Sequence, residues 1–405
     1  MMFKNIPNFP GDPILGLAEQ FKKDPREGKV NLSVGLYHDE EGIVPQLESI
    51  RRARGMYFEN ETKASTYLPM GGYLPYRKEV EKLLFGEDAQ SVKEGNIATI
   101  QSLGGSGALS IGGMFLKKFY PESKVYVSNP TWGNHISIFE AAGFKVEKYP
   151  YYDAATHGVD FNKMLEFIRQ LTPKSIVLLH PCCHNPTGAD LTEAQWDALI
   201  PVLKDHDLIP FLDIAYMGMG NGFEEDTYAI RAMEKSGLYF VVSHSFSKIF
   251  SLYGERIGAL CVVCEDQEAA VAVESQLCGT VRKVYSNPPS FGAHLVYNVL
   301  SSPELKALWI EEVKGMRKRI KDMRQALADE LKLQGQQPEE YEFYLKQKGM
   351  FSFTGFSKEQ AVALREEEAI YIIENGRMCI AGLTSGNVKK VADAFAKIEL
   401  AGENA

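Results

Sequence analysis

Two stretches, Ile209–Tyr216 (IPFLDIAY) and Tyr239–Lys248 (YFVVSHSFSK), decide how this chain folds. Each opens on apolar residues and closes on polar ones: Asp213 and Tyr216 in the first, Ser243, Ser245, Ser247 and Lys248 in the second. Short apolar runs bounded by polar groups read as strands buried on both faces. Lys124–Ser128 (KVYVS), Ser175–His180 (SIVLLH) and Ile257–Val263 (IGALCVV) have the same character. Helical spacing lies between them. Phe161, Met164, Leu165, Ile168 and Leu171 share one helical face, and Thr192 with Gln195 forms a capping box opening a helix toward Leu203. Strands alternating with helices predict an α/β fold with a mainly parallel sheet flanked by helices.

From about Glu304 the pattern changes. Trp309, Val313, Met316, Ile320, Met323, Leu327 and Leu331 step by threes and fours, predicting a helix of roughly 40 Å that bridges two lobes. Strand-like runs (MFSFTGF, AIYIIE, RMCIAGL), a capped helix near Ser357 and a last helix from Asn387 follow, suggesting a smaller α+β lobe. The N-terminal 45 residues hold no complete unit and are expected to pack on one of the lobes.

The 405 residues carry 44 basic and 53 acidic side chains, a net charge of −9, which argues against a nucleic-acid surface or a polybasic membrane patch. No apolar run approaches the roughly 20 residues of a membrane helix. Residues 1–13 lack the apolar core of a signal peptide. A cytoplasmic location is the expectation. Six cysteines in a chain this long make no disulfide framework. Cys261 and Cys264 form a C-x-x-C inside an apolar strand with no second pair to complete a tetrahedral site, so core packing is expected. Pro181 forbids the helix that would carry His180 and His184 to one metal. No metal is expected.

In an open parallel sheet, ligands sit beyond the carboxyl ends of the strands. There the sequence places His184-Asn185-Pro186-Thr187-Gly188, then Asp213 and Tyr216, then Ser245, Ser247 and Lys248. A lysine in a serine-rich loop, eight residues before Arg256, suits an imine-forming amine of lowered pKa beside a fixed cation and an organic cofactor. Ser245, Ser247 and Arg256 supply the hydroxyls and bidentate cation that a phosphate requires. Gly104-Gly105-Ser106-Gly107, ahead of the apolar helix Ala108–Phe119, adds backbone N–H groups at a helix's positive end. Asp213 suits a protonated ring nitrogen, and Asn185 and Tyr216 a ring oxygen. Taken singly, each has a plainer reading: a turn, a helix cap, a solvated lysine, packing for Trp132 and Tyr67. Their joint spacing carries the chemistry. A dinucleotide site is a poor match, because GGSG lacks the G-x-G-x-x-G spacing and no early strand with a downstream ribose acid frames it.

SFSKIFSLYGERIGAL, with HNPTG and DIAY upstream, resembles the fold-type I, or class I, aminotransferases that use pyridoxal phosphate. Within them the chain is similar to the aspartate and aromatic-amino-acid subgroup, nearest the bacterial tyrosine branch. The resemblance runs from GDPILGL to NGRMCIAGL, nearly the whole chain. It implies a large cofactor-binding domain over 46–312, and a small domain built from 1–45 and 313–405. It implies that Lys248 holds the cofactor as a Schiff base and shuttles the proton, that Asp213 keeps the ring nitrogen protonated, and that Asn185 and Tyr216 bind the ring oxygen. Trp132 would stack on the ring, with His135 behind Asp213. Gly105, Ser106, Ser245, Ser247 and Arg256 would hold the phosphate, joined by Tyr67 from the partner of a homodimer. Arg377 would clamp the substrate α-carboxylate and Arg282, reaching across the dimer, the distal carboxylate. Gly35 would lie on a segment that closes over substrate, with Trp132 and Asn185 also touching it.

The implied reaction is ping-pong transfer of the amino group from tyrosine, phenylalanine or aspartate to 2-oxoglutarate. A narrow aspartate aminotransferase, and a decarboxylase or lyase on the same fold, are the competing readings. His244 departs from the small or amide residue common in the family, and only a small effect, on phosphate or dimer contacts, is expected of it.

Overall fold

The computed structural model describes residues 3–8, 11, 13–60 and 64–403, so the signal-peptide reading falls partly outside the described residues, at 1–2, 9–10 and 12. A seven-stranded sheet forms the centre. Its strands in chain order are β1 (Ile97–Leu103), β2 (Val125–Asn129), β3 (Val146–Pro150), β4 (Ile176–Leu179), β5 (Ile209–Ile214), β6 (Val241–Ser245) and β7 (Ile257–Val263). Across the sheet they run β1-β7-β6-β5-β4-β2-β3. Only β7 is antiparallel to its neighbours. The mainly parallel α/β sheet expected from the sequence is therefore present.

Two strands lie outside the sequence reading. β1 directly precedes Gly104, which corrects the expectation that no strand frames the glycine-rich turn. Its apolar pattern is broken by Thr99, Gln101 and Ser102, all buried. Those side chains are satisfied locally: Gln101 accepts from the Tyr73 N–H and donates to the Pro289 carbonyl, and Ser102 donates to the Gly104 carbonyl. β3 is an edge strand, part-exposed and carrying Glu147 and Lys148.

Helix Gly104–Phe119 begins four residues earlier than its apolar run suggests and lies on one face of the sheet. Gly112 permits the close approach, since a Cβ there would stand 2.7 Å from the Phe211 ring. Cys261 joins the core on one face and Cys264 the core on the other, so the C-x-x-C thiols point apart as packing groups.

The long helix spans Pro303–Leu333, 31 residues or about 46 Å. Near its start Trp309 stacks on Phe250 at 4.5 Å and donates its indole N–H to the Ile249 carbonyl, directly under the Lys248 loop. Its later turns pack against helix Val388–Glu403. The start and end of the chain are sewn together. Val30–Asn31 pairs in parallel with Ile370–Tyr371, and the Cys379 N–H donates to the Leu32 carbonyl at 2.7 Å.

Candidate active site

The carboxyl ends of the parallel strands open into one cavity of roughly 200 Å³. Gly35, Gly105, Ser106, Trp132, Asn185, Asp213, Tyr216, Ser245, Ser247, Lys248, Arg256 and Arg377 all line it. Twelve of the fourteen site residues named from the sequence thus meet in one chain. Tyr67 and Arg282 do not. Tyr67 is 90% exposed, and Arg282 lies on helix Gln267–Val284, bonded to the Ser286 hydroxyl on the surface.

One end of the cavity is built for an anion. Helix Gly104–Phe119 has no side-chain cap at its N-terminus, leaving the first N–H groups to face the cavity beside Ser106. Arg256 lies against this turn, and a Cβ on Gly104 would stand 2.8 Å from its guanidinium. Its NH1 donates to the Tyr253 carbonyl at 3.0 Å and more weakly to Ser247 Oγ at 3.4 Å, both uncharged. Uncapped N–H groups, hydroxyls and a guanidinium form the donor set of a phosphate dianion.

Deeper in, Asp213 accepts from Ser243 Oγ at 3.0 Å and contacts His135 Nε2 at 3.0 Å. His135 is oriented in turn by the Thr131 hydroxyl at 2.9 Å. Burial pushes the Asp213 carboxyl up, but the His135 bond and charge and the Ser243 hydroxyl outweigh it, holding the group below its usual range. Asp213 is therefore a buried carboxylate. Tyr216 behaves oppositely: burial raises its phenol far above neutrality, so it stays an O–H donor.

The Lys248 amine stands 4.8 Å over the Tyr216 ring. Burial pulls its pKa down to about 8; Asp213 opposes this, and the Arg256 and Arg377 charges add to it. At the opposite wall Arg377 is 4% exposed. It donates to the Ser33 carbonyl at 2.6 Å and approaches Asn185 Oδ1 at 3.4 Å, with its guanidinium over the Phe351 ring at 4.4 Å. Gly35 keeps the wall open, since a Cβ there would lie 2.9 Å from Phe351 Cζ.

Residue types in this order along a doubly wound sheet match one family. The family model described as "Aminotransferase class I and II" matches residues 27–395. The chain belongs to this family. Among relatives of this aminotransferase, "Aromatic-amino-acid aminotransferase" of Escherichia coli (strain K12) is 56% identical over 98% of this chain and 100% of its own. "Aspartate aminotransferase" of Pseudomonas aeruginosa is 46% identical over 98% and 99%. An aromatic-amino-acid aminotransferase of Burkholderia pseudomallei, solved covalently bound to pyridoxal phosphate, is 45% identical and superposes with a TM-score of 0.95 over 98% of this chain and 99% of its own.

Four features of the aminotransferase differ from, or go beyond, the sequence reading. Pro181 does prevent a helix, yet the turn after β4 still brings the His180 and His184 rings to 4.4 Å. His180 lines the cavity and lies 5.2 Å from His135; burial drives it down to about 3, so it is neutral. His244 does not reach the phosphate end. Its ring is fully buried, bonded through Nδ1 to the Ile214 carbonyl at 3.0 Å and packed edge-on to Phe246. Phe351, Leu109 and Ile14 line the cavity as well; they fall in the stretches MFSFTGF, Ala108–Phe119 and GDPILGL, but nothing in the sequence turned them toward the site.

Proposed function

We propose that this chain transfers the amino group of tyrosine, phenylalanine and aspartate to 2-oxoglutarate in a ping-pong cycle, using pyridoxal phosphate held on Lys248. The observation that carries this reading is the Lys248 amine, lowered to about 8 and set between a buried carboxylate, Asp213, and two cations, Arg256 and Arg377. The uncapped helix N-terminus and Arg256, at one end of a cavity whose other groups suit a protonated heterocycle, fit the cofactor. When bound, pyridoxal phosphate supplies an aldehyde that captures an amine and a pyridinium ring that draws electrons from the substrate Cα–H bond.

This chain's residues do the rest. Lys248 anchors the cofactor, and its amine, when displaced by substrate, takes and returns the Cα proton; a pKa near neutrality suits both directions. Asp213, kept ionised, holds a proton on the ring nitrogen, and His135 and Ser243 fix its orientation. Tyr216 donates to the ring oxygen. Asn185, whose Oδ1 faces Arg377, has its amide N–H groups left to do the same. Trp132 packs on the ring face. Gly105, Ser106, Ser245, Ser247 and Arg256 hold the phosphate. Arg377 takes the substrate α-carboxylate bidentately, and Gly35 leaves room beside it.

The reading includes a homodimer in which Tyr67 completes the partner's phosphate site and Arg282 binds a distal carboxylate. Exposed apolar residues near them in sequence support self-association: Phe58, Met70, Leu74 and Val284. It also includes a small domain of residues 1–45 and 313–405 against a large one of 46–312, supported by the pairing of Val30 with Ile370. A cytoplasmic location is part of the proposal; among the described residues no helix is long and apolar enough to cross a membrane. The higher identity to the aromatic relative than to the aspartate relative, 56% against 46%, favours aromatic substrates over a narrow aspartate specificity. A kcat/KM panel over tyrosine, phenylalanine, aspartate and glutamate tests this. Comparable turnover of tyrosine and aspartate, with glutamate formed from 2-oxoglutarate, is expected. Aspartate alone would establish the narrow reading, and carbon dioxide without glutamate a decarboxylase.

A further inference from the structure

Arg324 sits on helix Pro303–Leu333, only 3% exposed, and has no part in the chemistry above. Its four hydrogen bonds all go to uncharged oxygens. NH1 donates to the Tyr344 carbonyl at 2.8 Å and Ser352 Oγ at 2.6 Å; NH2 donates to the Gly349 carbonyl at 2.8 Å and the Phe351 carbonyl at 2.6 Å. Burying a guanidinium without a carboxylate carries a large desolvation penalty. All four acceptors belong to one stretch, residues 344–352, which the planar fork of donors fills from inside.

That stretch is tied at three points to segments that carry pocket residues. Gly349 presses on Cys183 so closely that a Cβ would lie 2.7 Å from the thiol sulfur, at a backbone φ of 72°. The Lys348 N–H donates to the Gly188 carbonyl at 2.7 Å, so the turn is keyed to the loop that carries Asn185. Strand Phe351–Phe353 pairs antiparallel with Arg377–Cys379, setting Phe353 opposite Arg377. The Phe351 ring lies 4.4 Å from the Arg377 guanidinium and edge-on to Tyr216 at 5.5 Å.

We infer that Arg324 is a positioning residue for substrate binding: by holding the 344–352 turn it fixes the Phe351 ring beneath Arg377 and so aims the Arg377 guanidinium at the substrate carboxylate. The inference rests on the reading of Arg377 as the carboxylate clamp. Arg324 touches neither substrate nor cofactor and acts through the ring. A lysine would keep the charge but cannot span two pairs of acceptors with one ammonium.

The test uses holoenzyme, with 3-phenylpropanoate as a single-carboxylate probe whose Kd is read from the cofactor absorbance. KM and kcat for phenylalanine are measured beside it, at a temperature where circular dichroism shows every variant folded. Arg324→Met and Phe351→Ala are each expected to raise Kd and KM about tenfold, the low end of the worth of one charge-assisted hydrogen bond, with kcat within about threefold. The double variant is expected to be no worse than either single, because both act through one ring. Arg324→Lys should fall with Arg324→Met. Ser352→Ala, which removes one acceptor and is the milder change should Arg324→Met not fold, should raise Kd about threefold. Additive losses in the double variant, full function in Arg324→Lys, or an unchanged Kd with only a lowered Tm would overturn the inference. Arg377→Lys tests the underlying reading separately. If it leaves the probe's Kd unchanged, Arg377 is not the clamp, whatever Arg324 does.

Discussion

Replacing Arg256 with Gln removes the cation from the anion-binding end of the cavity and little else. Among the described residues the guanidinium bonds only to a carbonyl and, weakly, to a hydroxyl. Its planar edge is therefore available to a phosphate. Two charge-assisted hydrogen bonds are worth about 1.5–3 kcal/mol each, and a glutamine amide restores about 1 kcal/mol as a neutral donor. The net loss is about 2–5 kcal/mol, or roughly 30- to 4,000-fold in cofactor affinity at 1.4 kcal/mol per decade. The assay is reconstitution of the cofactor-free protein with increasing pyridoxal phosphate, followed by its visible absorbance. Inorganic phosphate should compete with the cofactor in the parent protein and far more weakly in Arg256→Gln. A change of less than about threefold would refute the reasoning, because the helix terminus and serines alone would then account for the site.

Arg282→Leu should lower kcat/KM for aspartate and 2-oxoglutarate by about 10- to 150-fold, the range for one lost charge-assisted contact, and leave tyrosine within about threefold. Equal losses for both substrates would remove the arginine from the distal site. His244 gives a pH-dependent stability. Burial holds its folded pKa at about 4 against 6.5 for the free group. As pH falls below that free value, the unfolded chain binds a proton that the folded chain does not, so stability is lost on acidification until the folded pKa is reached. Between pH 7 and pH 5 this single group accounts for about 2 kcal/mol. Comparing urea midpoints at both pH values, His244→Asn should lose less stability on acidification than the parent; an identical loss would contradict the assignment.

The legible parts of this fold are those where burial and apolarity coincide. β4, β5, β6 and β7 sit inside the sheet and carry continuous apolar runs, so the residues at their carboxyl ends, Asn185, Asp213, Tyr216 and Lys248, could be placed at one edge from the sequence. β1 is as buried as any of them, yet Thr99, Gln101 and Ser102 hide it, their polarity being met by neighbours that one sequence does not reveal. Phe351 shows the converse. Its run reads as core strand and is one, but only the 344–352 turn and the pairing with Arg377–Cys379 turn its ring toward the cavity. Tyr67 and Arg282 carried no local signal, since each is a surface side chain on its own chain. Resemblance named them, and the roles proposed for them call for a second subunit.

The central claim is that Lys248 bears the cofactor. Reducing the holoenzyme with borohydride freezes the covalent link, and peptide mass spectrometry then locates it. The expected result is a single modified peptide with the added mass on Lys248, absent in Lys248→Ala together with the visible absorbance and turnover. The mass on another lysine, or turnover retained by Lys248→Ala, would contradict it.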